Sequence, residues 1–237
     1  MKIIKKLILW IISSIIIISV AVGIYGYQYY AETMKKESIE SKIQEIRQDY
    51  TYVKKEDLPQ DYLNAIVAVE DRRFFSHGAI DPIGIARAIL INIKNKSFQE
   101  GGSTITQQVA KNLYYISETN VVKRKVAEMF TAIEIEKKYS KEEILEIYAN
   151  TIYFGNGYYG IKEACNGYLK KESKDMNLAE STMMAGIPNA PSVYAPTANK
   201  EYCKSRQRKV LASMVDAGYI SKEVADSVDQ SFIDKIE

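Results

Sequence analysis

A run of 24 residues without a charge, Leu7–Tyr30, does most to limit what this chain can become. As a helix rising about 1.5 Å per residue, it is long enough to cross the ~30 Å hydrocarbon core of a bilayer. Lys2, Lys5 and Lys6 precede it. A cleaved signal peptide is the alternative, with Ala21-Val22-Gly23 as a faint cleavage site. The run outlasts a usual signal core and continues through Ile24 into a series of tyrosines, which favours an uncleaved anchor. The basic cluster predicts that residues 1–6 stay cytoplasmic and that everything after the span lies outside.

Setting those three lysines aside leaves 29 basic against 30 acidic side chains, so the rest of the chain is nearly neutral. A nucleic-acid-binding domain would be strongly basic, and that class is excluded. Cys165 and Cys203 both fall on the outer side, where a disulfide and two unpaired buried thiols are equally open readings.

The predicted organisation is a cytoplasmic N-terminus (1–6), a transmembrane anchor (7–30), a polar helical stalk (31–54), a single globular domain (55–221) and a helical tail (222–237). Helix signals recur throughout the domain. Asp81-Pro82 starts one helix, Ser140 with Glu143 caps another, and Asn177 with Glu180 a third. Lys200–Ala217 stops at Gly218. No alternating run demands a sheet, although 152–159 has the tyrosines and isoleucines for a short hairpin. The fold class expected is all-α.

Three places carry chemistry. On the helix beginning near Asp61, Glu70 falls on the apolar stripe of Leu63, Ile66 and Val67, while Asp71, Arg72 and Arg73 point elsewhere. A carboxylate so placed is partly desolvated and suited to proton transfer; the plainer reading pairs it with Arg73 or another cation. His77, the only histidine, is expected to hydrogen-bond across the turn before Gly78 and steady this region. In "EGGSTITQQVAKN" (100–112), Thr104 and Gln107 form a capping box. Thr104, Gln107, Gln108 and Lys111 then make an uncharged stripe ending in a cation, with a helix start that suits phosphate. In 121–139, Val122, Val126, Met129 and Ile133 are expected to be buried. Arg124 and Glu128 lie one turn apart beside Lys125, which alone would be an ordinary surface ion pair. Together, two carboxylates and a phosphate cradle suit displacement of a phosphate-type leaving group at a sugar carbon.

Four ordered motifs, Glu70–Gly78, Gly102–Gln108, Arg124–Glu128 and Lys141–Asn150, with "NAPSVYAP" (189–196) and "RQRKVLASMVDAGYIS" (206–221) behind them, resemble the peptidoglycan glycosyltransferase domain (family 51 glycosyltransferases) of bacterial penicillin-binding proteins. The resemblance covers about residues 55–221. It implies a lysozyme-like helical fold with a small membrane-facing jaw, here Ile80–Gln99. In that stretch Ile89, Leu90, Ile91, Ile93 and Phe98 flanked by Lys94 and Lys96 suit either lipid headgroups or plain core packing. It implies polymerisation of lipid II with Glu70 as general base and Glu128 assisting departure of undecaprenyl pyrophosphate, as a proton source or through a divalent ion (Mg or Mn). No organic cofactor is implied. By the same carry-over Ser103, Thr104, Gln107, Gln108, Lys111, Arg124 and Lys125 bind substrate, and Asp71, His77 and Asn150 support the site. Asn120 stands where the family often has arginine, so one diphosphate contact is either missing or supplied by Lys123.

Ser-x-x-Lys and Lys-Thr-Gly motifs are absent, so the expectation is a monofunctional enzyme without β-lactam acylation chemistry. Its implied partners are lipid II, the growing glycan strand, membrane lipids and other cell-wall synthesis proteins. A lysozyme-like cell-wall hydrolase would share the acidic residue but has no use for the cations at 111, 124 and 125. A non-catalytic scaffold would have no reason to hold both Glu70 and Glu128.

Overall fold

The computed structural model describes residues 2–95 and 101–237. Lys96 and Phe98, assigned above to the jaw, lie outside the described residues. α1 (Lys2–Lys36) is continuous, and its apolar span forms one helix with the first six residues of the predicted stalk. α2 (Ile39–Gln48), capped by Ser38, follows at once. Its Ile39 and Ile43 are buried in the main core, so the stretch read as stalk is packed into the globular body.

α3 (Gln60–Glu70) inserts Tyr62, Leu63, Ala65, Ile66 and Val67 into that core. α4 (Pro82–Asn95) starts at the Asp81-Pro82 signal, with Asp81 Oδ1 accepting from Ile83 N at 3.1 Å. It buries Ala88 but leaves Ile83, Ile89, Leu90 and Ile93 exposed, so it is not a core helix. α5 (Ile105–Ala110) runs on into a wider π turn over Lys111–Tyr115. α6 (Val121–Lys138) is followed by α7 (Lys141–Thr151) and α8 (Ile161–Tyr168). α9 (Leu178–Gly186), α10 (Pro191–Tyr194), α11 (Lys200–Asp216) and α12 (Lys222–Asp226) complete the order.

The capping boxes at Thr104/Gln107, Ser140/Glu143 and Asn177/Glu180 all form. Gly218, with φ of 77°, ends α11 in the left-handed conformation that glycine adopts without strain. Among the described residues there is no strand, only one antiparallel bridge between Tyr153 and Tyr159 at the place read as a hairpin. α3, α9 and α11 pack on one another, α5 packs between α6 and α7, and α1 lies along α6. Cys165 and Cys203 are free and buried, which decides the open question about them.

One predicted face is reversed. α6 buries Ala127, Glu128, Thr131, Ala132 and Ile135, whereas Val122 and Met129 are exposed and Ile133 nearly two-fifths so. α5 and the anchor helix together decide which side of α6 is covered. A Cβ at Gly26 would overlap the Val126 side chain, so the close approach of α1 to α6 needs glycine there.

Candidate active site

A cleft of about 420 Å³ opens between the α3–α11 pair and the α5–α6 pair. Glu70 lines it because α3 ends there, one turn beyond the buried Ile66 and Val67. Its carboxylate is fixed at both oxygens. Arg206 Nη2 of α11 donates to Oε1 at 3.1 Å, and Gln108 Nε2 of α5 donates to Oε2 at 3.0 Å. Arg73, the partner considered from sequence, pairs instead with Asp81 at 3.0 Å. Arg206 is buried, donates from Nε to Gly186 O at 3.2 Å, and lies over the Tyr194 ring.

Sequence reasoning did not assign Arg206 to the site. The signal was present: it shares the buried side of α11 with Cys203, Gln207, Val210 and Met214, and a charge on such a side needs a partner. Arg72 was expected to point elsewhere, yet it lines the cleft and donates to Asp216 O. Arg87 and Lys209 line it too.

Asp71 is buried and ties the end of α3 to the start of α5. His77 Nε2 lies 2.7 Å from its Oδ1, and Ile105 N donates to Oδ2 at 3.1 Å. Burial pushes the Asp71 carboxyl up, with His77 opposing the shift. His77 Nδ1 meets Gly78 O at 2.5 Å, so the ring bridges the turn as expected. Asn150 sits further off. Its amide bonds Val53 N and O, both at 2.8 Å, and so fixes the segment that leads into α3.

The start of α5 is not the open phosphate cradle expected. Thr104 N, Ile105 N and Gln107 N all have partners, namely Gln107 Oε1, Asp71 Oδ2 and Thr104 Oγ1. Thr104 is buried and also donates to Ala79 O at 2.8 Å. Gln107 is largely buried and keeps only an edge on the cleft, while Ser103, Gln108, Lys111 and Lys125 line it. Burial, and then the charge of Arg124, hold the Lys111 ammonium below the usual lysine range. Asn112 Nδ2, also at the cleft, is buried without a hydrogen-bond partner.

Glu128 is fully buried behind this wall. Lys125 Nζ reaches it at 2.6 Å and Ser103 Oγ at 2.9 Å. Arg124 Nε lies 3.2 Å from Glu128 Oε1, within ion-pair range but off the hydrogen-bond direction, so both atoms lack a hydrogen bond. Burial with two cations is far from an exposed surface pair. Asn120 accepts from Lys123 N at 3.0 Å as the N-cap of α6, and Lys123 is held by Glu118 and the Tyr29 ring. Neither residue faces the cleft.

The fit to a divalent cation is poor at Glu128, whose oxygens already face two cationic side chains. Among the described residues, the one group of three potential ligands close enough to share an ion is Asp71, His77 and Asp81. Those residues are engaged with Ile105 N, Gly78 O and Arg73.

Charge decides what the cleft takes. Its lining carries six cations (Arg72, Arg87, Lys111, Lys125, Arg206 and Lys209) against two carboxylates, Glu70 and Asp216. That excess, in a partly desolvated space, favours a ligand with several negative charges.

Residues 36–215 match the family described as Transglycosylase. The chain is 37% identical to penicillin-binding protein 1A of Vibrio cholerae over 96% of its own length and 29% of that protein's. It is 43% identical to penicillin-binding protein 1A of Neisseria lactamica over 77% of its length and 22% of the relative's. A crystal structure of penicillin-binding protein 1A from Haemophilus influenzae aligns with 75% of this chain and 17% of that one, at a TM-score of 0.45 and 24% identity. The chain thus spans less than a third of the curated relatives it matches. With a match across three-quarters of its length, the chain belongs to the transglycosylase family.

Proposed function

We propose that the protein is a membrane-anchored peptidoglycan glycosyltransferase that joins lipid II units into glycan strands. The observation that carries this reading is the placement of Glu70, held at both oxygens, across one cleft from Lys111 and Lys125. Glu70 takes the proton from the acceptor sugar's 4-hydroxyl, and that oxygen attacks the donor's anomeric carbon. The bond from that carbon to the diphosphate breaks, and the configuration inverts. Charge grows on the departing undecaprenyl pyrophosphate, where Lys111 and Lys125 neutralise it. Glu128, with no access to the cleft, acts through Lys125 by aiming its ammonium. Arg206 and Gln108 hold the base in position. The N-terminus is cytoplasmic and the globular part outside, by the charge of Lys2, Lys5 and Lys6.

A hydrolase of finished polymer would have a neutral substrate at the bond it cleaves and no use for this cationic wall. The test is incubation of purified protein in detergent with labelled lipid II and separation of polymer from monomer. Wild type is expected to polymerise, and Glu70→Gln to lose at least ~10²-fold in rate while lipid II binding holds within a few-fold. A Glu70→Gln rate within a few-fold of wild type would remove Glu70 from that role.

A further inference from the structure

At the turn between the π segment and α6, Ile116, Val121 and Val122 are each at least half exposed. The charged group among them is paired locally: Glu118 accepts from Asn120 N at 2.8 Å and pairs with Lys123. Contacts with α1 fix the height of this corner. Lys123 Nζ lies 4.1 Å from the centre of the Tyr29 ring and 5.9 Å from that of Tyr25. Gly26 meets Val126, and Phe130 meets Tyr27 and Tyr30 at 5.2 and 5.8 Å. Residue numbers climb together along both helices, so they run parallel, with Val126 level with Gly26. Val122 is then one turn, roughly 6 Å, nearer the middle of the bilayer. A hydrocarbon core spans about 20 helical residues, which counted from Leu7 ends near Gly26.

We propose that the corner of Ile116, Val121 and Val122 is sunk into the bilayer at the boundary between headgroups and acyl chains. It is a second membrane contact, separate from α1 and from the exposed apolar side of α4. Its depth matches the ~5–10 Å typical of interfacial apolar faces. Lys123 sits at the same boundary with its charge paired by Glu118 and stacked on Tyr29. Lys125, which lines the cleft, follows three residues after Val122. Granted the proposed lipid-linked diphosphate donor, it meets the phosphates at headgroup depth, with no need to lift the lipid from its leaflet.

The experiment places an environment-sensitive nitrobenzoxadiazole label on Val122→Cys and on Ile116→Cys in the full chain. The protein is reconstituted in phosphatidylcholine–phosphatidylglycerol vesicles containing phosphatidylcholine with a nitroxide near the headgroup. Cys165 and Cys203 are buried, and unsubstituted protein gives the background. Tyr202→Cys, on the exposed side of α11, is the control. Labels at 116 and 122 are expected to be quenched at least roughly threefold more than at 202, with blue-shifted emission. Quenching equal to the control, with free access by aqueous iodide, would overturn the proposal. No substrate enters this measurement, so its failure leaves the reading of Glu70 standing, and loss of the Glu70 role leaves the depth standing.

Discussion

Replacing Arg206 by methionine should unsettle Glu70 without opening a large hole, because the apolar stem of the side chain is replaced by one of similar length. Arg206 makes one charge-assisted bond to Glu70, worth about 1.5–3 kcal/mol, and one to Gly186 O worth about 1 kcal/mol. The two partners' side chains are only 7% and 8% exposed, so little solvent screens the loss. Glu70 keeps Gln108 as a donor, which places the total near the low end of the 3–5 kcal/mol typical of breaking a buried pair, about 3 kcal/mol. In a chain of this size that lowers Tm by roughly 6–12 °C. Thermal unfolding in detergent, followed by circular dichroism, reads the shift for Arg206→Met, Glu70→Gln and the double variant. Because the charge stranded by one substitution is removed by the other, the double variant is expected to recover at least ~1 kcal/mol relative to additivity. Additivity within ~0.5 kcal/mol would refute the pairing.

Lys111 gives up its proton earlier than an ordinary lysine as pH rises, since burial and Arg124 depress it. The alkaline limb of kcat/KM for lipid II should therefore lie below the usual lysine range and move upward in Lys111→Arg; an unmoved limb would show that Lys111 does not meet the diphosphate. Asn120→Ala is expected to cost ~0.5–2 kcal/mol as a lost helix cap, read as a lower Tm. Asn120→Arg should lose the same cap without lowering KM for lipid II, and a lowered KM would restore the family's arginine contact as the better account. Burial pushes both thiols up to about 12, so Cys165 and Cys203 should resist a thiol reagent at pH 8 until the chain is unfolded. Stoichiometric labelling of native protein would contradict their burial.

What the sequence showed well was local. A capping box needs four consecutive residues, and the boxes opened at Thr104, Ser140 and Asn177 formed as read. Glu70 was placed correctly because its apolar stripe lies on the same helix. What escaped depended on partners far along the chain. The buried side of α6 is chosen by packing against α1 and α5, and periodicity alone picked Val122, Met129 and Ile133. Arg206 is 136 residues from Glu70, and nothing near either residue announces the other. The helix start at Thr104 seemed open to phosphate until Asp71, 34 residues earlier, was seen to occupy Ile105 N.

The π turn at Lys111–Tyr115 reconciles two demands on one helix. Up to its first residue the helix directs Gln108 and Lys111 to the cleft; within it, Leu113 and Tyr115 must enter the core. The widened turn absorbs one extra residue between these two registers. Deleting Asn112 would let the backbone close into an ordinary helix, but each residue lost rotates all that follows by about 100°. Either the lysine would then leave the cleft or the tyrosine the core. This stretch should thus refuse every change of length, whatever side chains it carries.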